Sequence, residues 1–365
     1  MTQSGGFVRR DFGRREFLRA AVALGACHAL PAWPQSRIPI ADMHSHYGMF
    51  SRFLPRSGLA EDMRAQGVAL VAWKHVADSR WIRTGAGGIA QSSKPAPGQL
   101  AFHFNSGIRQ MKDYIADQKL KLVLAAADVE ACLAGEAGVV LASEGADFLE
   151  GNLAGLEAAH AAGLRHLQFV HYIHSPVGDF QTAEPEHHGL STLGRELVEA
   201  CNVKGILVDL AHSTGESIDQ ALEVAKAPLI WSHSWVDADG GSWKDRFGFL
   251  KRRLSLGHAK KIAAGGGVIG LWGLGLQRPE FGWSVGRGDT RAYAGELARL
   301  ANSLGADHVA LGTDIEGVGN DWSVNSYAHV REVVGHLEAM KLEASVIERI
   351  AYRNYARVLK AVLKG

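Results

Sequence analysis

Three observations predict an α/β chain folded as a (β/α)8 (TIM) barrel. Short apolar runs alternate with helix-like stretches from Ile38 to the C-terminus, no shift in composition marks a second domain, and the apolar runs repeatedly end in His, Glu or Asp. A doubly wound dinucleotide fold is disfavoured because no Gly-x-Gly-x-x-Gly follows the first strand. At 365 residues the chain can bury a large core, and 47% hydrophobic with 21% charged residues is the balance of a globular protein. The net charge of +1, from 39 basic and 38 acidic residues, provides no electrostatic footprint for nucleic acid.

The first 34 residues read as a separate segment. Arg14-Arg15-Glu16-Phe17-Leu18-Arg19 precedes a short apolar run at 20–30, and Pro31 and Pro34 end it. This is the pattern of a twin-arginine export signal with a linker, so the barrel is expected over 35–365 and the protein in the periplasm or exported. The run is far shorter than the ~20 residues that span a bilayer, so no transmembrane segment is expected once the signal is removed. Leu24-Gly25-Ala26-Cys27 resembles a loose lipobox, which makes Cys27 a candidate for lipid attachment. Cys132 and Cys201 sit in apolar, helix-like surroundings and read as small buried hydrophobes.

Strand patterns are expected at 38–43, 68–73, 121–125, 138–142, 164–170, 205–210, 228–232, 267–271 and 308–312. Helical spacing is expected at 59–66, 104–119, 128–135, 149–162, 193–202, 218–226, 259–264, 290–304, 326–340 and 344–363, with Ser213 or Ser217 as a cap for the 218–226 helix. Residues 85–98, rich in Gly, Ser and Pro, read as loop.

The strand ends carry the chemistry. In a strand, Asp42, His44 and His46 share a face, so the two imidazoles can chelate one ion while Asp42 orients a ligand from behind. Glu144, His171, His212, His233 and Asp314 lie at or just past later strand ends, where barrel chemistry is placed. Histidines and carboxylates without thiolates suit Zn²⁺ or a similar divalent ion, and four ligand histidines exceed what one open zinc site needs. Two ions sharing the Glu144 carboxylate account for them, lowering the pKa of a shared water and polarising a carbonyl under attack. Asp314 is placed to carry the proton, and His171 to donate to the developing oxyanion.

The chain also resembles the membrane dipeptidase (renal dipeptidase, peptidase M19) family. The resemblance runs through Gly189-Leu190-Ser191, Gly205-Ile206-Leu207-Val208-Asp209-Leu210-Ala211-His212-Ser213, Ala227-Pro228-Leu229-Ile230-Trp231-Ser232-His233-Ser234 and Gly312-Thr313-Asp314. It implies that His212 and His233 bind one zinc, that Glu144 bridges two, and that His44 binds the other. It further implies that His171 contacts the substrate, that Asp314 handles the proton, and that an arginine ahead of 266–269 holds the substrate carboxylate. By spacing that arginine is Arg252, with Arg253 and Lys251 as rivals. The family's Asp-x-His-x-Asp is here Asp42-Met43-His44-Ser45-His46, which replaces an anionic ligand with an imidazole. The implied activity is hydrolysis of small dipeptides by an exported dinuclear zinc enzyme, and a homodimer is compatible with it. The alternatives are amide or lactone hydrolysis on the same barrel, or an exported metal-binding protein without catalysis.

Overall fold

The computed structural model describes residues 37–49, 58–85, 88–237, 249–273, 277–278, 283–284, 289–317 and 324–364. The segment expected to be an export signal, with Cys27, lies outside them. Eight strands form the barrel: β1 (Ile40–Ser45), β2 (Val68–Val76), β3 (Gly138–Glu144), β4 (Leu164–Gln168), β5 (Leu207–Asp209), β6 (Ile230–Ser234), β7 (Val268–Leu271) and β8 (Val309–Leu311). Each pairs in parallel with its sequence neighbours, and β8 pairs with β1 to close the ring. Closure removes the exposed edges that an open sheet would leave.

Alternation along the strands explains both faces of the ring. Ile40, Val71, Leu141, Leu167, Val208, Trp231, Ile269 and Leu311 point outward and are buried under the surrounding helices. Ala41, Met43, Leu70, Ala72, Val140, Ala142, Leu207, Ile230, Val268 and Ala310 point inward. The inner set packs against Tyr355, Ala356, Val358, Leu359 and Val362 of the last helix, Asn354–Val362. That helix plugs the N-terminal end of the barrel, and the Tyr355 hydroxyl reaches Nδ1 of His166 on β4 at 3.1 Å. Among the described residues, no helix is long and apolar enough to cross a membrane.

Three expectations are corrected. Residues 121–125 contribute only a two-residue strand, Lys121–Leu122, against Gly138 and Val139. The ring already uses one edge of β3 for β2, and β4 takes the other edge from Leu141 onward, so only the start of β3 has room. Gly88–Gln91, inside the expected loop, pairs with Ile82–Gly85 just ahead of it as an antiparallel hairpin. The helix Gly215–Val224 is capped by Thr214, whose hydroxyl accepts the Ser217 N–H, rather than by Ser213 or Ser217. Cys132 and Cys201 are buried and unbridged.

The plug generates a stability prediction. Leu359 is fully buried against the inner face, so Leu359→Ala should lower the unfolding free energy by about 2–4 kcal/mol. Val203, 70% exposed on Thr192–Lys204, should tolerate alanine with little change. Denaturant titration of both variants checks this, and equal effects would contradict the plug.

Candidate metal centre

Simple alternation does not bring the histidines to the mouth. On β1, Asp42 is opposite Val71 of β2 while Ser45 is opposite Trp73, so β1 spends one extra residue there. Met43 belongs to the inner cluster, yet the next side chain, His44, also turns inward to Ser232. On β6, Trp231 is opposite Ile269 and Ser234 opposite Leu271, which is the same one-residue excess. It turns both Ser232 and His233 inward. The bulged Ser232 carbonyl occupies space that a Cβ at Gly270 or Gly312 would enter, at 1.9 and 1.7 Å, so both positions require glycine. Glu144 follows Val140 and Ala142 by regular alternation on β3. His212 and Asp314 sit just past β5 and β8 with φ of 73° and 54°. Such left-handed backbone at non-glycine residues costs roughly 1–3 kcal/mol and clusters at functional sites.

The side chains converge as two groups sharing Glu144. His44, His46 and Glu144 form one, and Glu144, His212 and His233 the other, each with its donor atoms within 4.8 Å of one another. Glu144 Oε2 lies 2.9 Å from His46 Nε2 and 3.6 Å from His44 Nε2. Its Oε1 lies 3.1 Å from His212 Nε2 and 3.6 Å from His233 Nε2. Within each pair the two Nε2 atoms are 3.2 and 3.1 Å apart. All five residues are buried.

Hydrogen bonds on the far side of the rings set their tautomers. His46 Nδ1 is 3.0 Å from the Lys74 carbonyl, which can only accept, so Nδ1 carries the proton. Its Nε2 then faces two carboxylates, Glu144 at 2.9 Å and Asp314 at 3.1 Å. Burial opposes charge on His46, but Asp314 and Glu144 outweigh it and raise the ring to about 10. The position therefore demands positive charge between a nitrogen and two carboxylates. His44 Nδ1 and His233 Nδ1 both contact Ser232 Oγ, at 2.9 and 3.1 Å. Burial holds His212 and His233 well below the usual histidine range, keeping both neutral and their lone pairs available. For Glu144 burial favours the neutral acid, yet His171 and His44 pull its pKa well down. Four imidazole nitrogens flanking one carboxylate, without thiolates, fit a pair of zinc-like divalent ions.

The other expected residues surround this group. His171 Nδ1 lies 2.8 Å from Asp78 Oδ1, and Asp78 Oδ2 accepts the Tyr172 N–H. Asp314 Oδ2 accepts the Trp272 indole N–H at 2.7 Å, leaving Oδ1 facing His46 and His44. Arg252 is wholly buried, with Nη2 3.0 Å from His233 Nε2 and Nη1 donating to Gln181 Oε1 at 2.7 Å. Arg253 is half-buried and Lys251 exposed, so of the three basic candidates Arg252 is the one in contact with a site histidine. A cleft of about 350 Å³ opens over His46, Glu144, His171, His212, His233 and Asp314, with Val76, Ile82, Ile89 and Trp272 as its apolar walls.

Sequence reasoning missed the groups behind the ligands: Lys74, Asp78, Gln168, Asp209 and Ser232. One signal was present, because Lys74 is the sole Lys, Arg, Asp or Glu in the run 68–76, all of which is buried.

Comparison with known proteins finds both sequence relatives and a shared fold. Residues 102–238 match the model for the membrane dipeptidase family (peptidase family M19). The chain is 28% identical over 255 residues to an uncharacterised protein in the pqqA 5′ region of Klebsiella pneumoniae, covering 67% of this chain and 89% of that one. It is 26% identical over 234 residues to dipeptidase tcpJ of Claviceps purpurea, covering 62% of this chain and about half, 52%, of that relative. Among solved structures, a metallo peptidase from Rhodobacter sphaeroides, liganded with a phosphinate mimic of the dipeptide L-Ala-D-Ala, superposes with a TM-score of 0.69. It is 20% identical, and the match covers 89% of this chain and 99% of that one. The barrel is thus shared with solved metallo peptidases, and over residues 102–238 the chain is similar to the membrane dipeptidase family, peptidase family M19.

Proposed function

We propose that this protein is an exported dinuclear zinc dipeptidase that hydrolyses the peptide bond of small dipeptides. The observation that carries the reading is the division of Glu144, one oxygen facing His44 and His46, the other facing His212 and His233. In this reading His44 and His46 hold one ion, His212 and His233 the second, and Glu144 joins them. Bound there, the ions would lower the pKa of a water and polarise the scissile carbonyl.

The chain's own residues supply the rest. Asp314 is held by the Trp272 indole through Oδ2, so its Oδ1 is the atom that accepts a proton from the attacking water and returns it to the leaving amine. Asp78 fixes the His171 ring through Nδ1, which leaves Nε2 to meet the carbonyl oxygen as charge develops. Arg252 supplies the planar fork for the substrate's terminal carboxylate, and its Nε has no hydrogen-bond partner among the described residues. The apolar walls at Val76, Ile82, Ile89 and Trp272 accommodate side chains of a small substrate. Export is supported by Arg14-Arg15 and the apolar run behind them.

A second reading is amide or lactone hydrolysis on the same barrel. It is favoured by His46, which makes a His-x-His where the resemblance leads one to expect Asp-x-His-x-Asp. Zinc-loaded protein assayed against dipeptides, lactones and acylated amines separates the two. Turnover of dipeptides is expected, and turnover confined to the other classes would overturn the first reading. Asp314→Asn should keep both ions and lose at least about a hundredfold in kcat, since general acid–base catalysis contributes 10²–10⁴-fold. Unchanged kcat would remove Asp314 from the proton path.

The carboxylate anchor has its own test. Arg252→Met should raise KM for a dipeptide about 10- to 100-fold, the worth of one or two hydrogen bonds to a charged group. Arg253→Met should change KM by less than about threefold. The reverse order would assign the anchor to Arg253.

A further inference from the structure

Lys74 is fully buried inside the barrel, on the inward-facing row of β2 that also carries Leu70 and Ala72. A buried ammonium is costly unless its N–H groups are paired. Its partners are Asp209, with which it forms an ion pair, the Gln168 Oε1 at 2.9 Å and the Ser232 Oγ at 3.3 Å. We propose that Lys74 is a positioning residue of the metal centre, one that fixes Glu144 through Gln168 and the backbones leading to His212 and His233 through Asp209. The inference rests on the dinuclear reading above and concerns the ion held by Glu144, His212 and His233.

The first link is a matter of hydrogen-bond direction. An ammonium has three donors and no acceptor, so it can face Gln168 only through the amide oxygen. The amide nitrogen is then forced the other way, where it donates to Glu144 Oε1 at 3.2 Å and to the Val170 carbonyl at 3.0 Å. A flipped amide would set its oxygen against the Glu144 carboxylate. Lys74 therefore makes Gln168 a donor to the oxygen of Glu144 that faces His212 and His233.

The second link runs through Asp209. Its Oδ2 takes Lys74 and His166, while its Oδ1 accepts the backbone N–H groups of Ala211 and Ser232, each at 3.0 Å. Ala211 immediately precedes His212, and Ser232 precedes His233 within the β6 bulge. Lys74 supplies the charge that keeps Asp209 ionised in this buried position, and burial together with Lys74 keeps neighbouring His166 neutral, at about 4. The Lys74 backbone carbonyl also holds His46, but a substitution of the side chain leaves that bond in place.

The two links predict an asymmetric effect. Removing the ammonium should weaken the ion at Glu144, His212 and His233 more than the one at His44 and His46, because the Gln168 and Asp209 links lead only to the first and the Ser232 hydroxyl touches His233 and His44 alike. Lys74→Met alone leaves Asp209 as an unpaired buried carboxylate and invites misfolding. The test therefore uses Lys74→Met together with the double variant Lys74→Met/Asp209→Asn, each checked for native circular dichroism. Zinc affinities are measured by chelator competition, and the Co²⁺-loaded forms by visible absorption. The double variant should hold one ion about 10- to 100-fold more weakly, the usual effect of losing a group that orients a ligand, with the other within about threefold and an altered cobalt spectrum. A folded double variant with two ions at wild-type affinity and an unchanged spectrum would overturn the inference and leave the dinuclear reading standing. Wild-type protein that binds fewer than two ions would overturn both.

Discussion

Glu144 places an ionised carboxylate where almost no water reaches it, with an imidazole pair on either oxygen. A buried charge of this kind is tolerated only when cations or donors surround it. On one flank the Lys74 carbonyl fixes the His46 proton on Nδ1, and on the other burial keeps His212 and His233 neutral. The nitrogen lone pairs and the carboxylate thus point into the same small space. Positive charge in that space is the interaction on which the arrangement of the barrel mouth depends.

The fold meets this demand by departing from regularity at chosen places. Two of the extra residues in its strands, one ahead of His44 and one at Ser232–His233, turn consecutive side chains inward. Glycines at 270 and 312 make room for the displaced carbonyl. His212 and Asp314 hold left-handed backbone. Each departure opposes stability, and the apolar lower half of the barrel, packed on the terminal helix, offsets it. The site occupies the C-terminal ends of the strands and the plug the opposite end, which separates chemistry from stability as the barrel architecture usually does.

Much of this was legible in the sequence, and the limits have physical causes. The eight barrel strands were readable because buried parallel strands are continuous apolar runs, and the mouth residues because six of these runs led into His, Glu or Asp. Residues 121–125 satisfied the same pattern but found no free edge once β3 was paired on both sides. The hairpin at 82–91 was hidden by glycine and serine, since its pairing depends on cross-strand bonds rather than on an apolar face. The expected shared face of His44 and His46 held, but alternation alone would have aimed His44 with Ile40 toward the helices, and bulges leave no mark in a single sequence. The hydrogen-bonded layer of Lys74, Gln168, Asp209 and Ser232 was invisible for another reason. Its members lie on four different strands, and only closure of the ring brings them together.

The most direct test is a count of metal in purified wild-type protein and in Glu144→Gln, by elemental analysis after equilibration with zinc. A carboxylate that serves two ions at once should give two zinc ions per wild-type chain and one or none in the folded variant, because a neutral amide cannot join two cations. Two ions retained at full affinity in Glu144→Gln, or none in the wild type, would contradict the account.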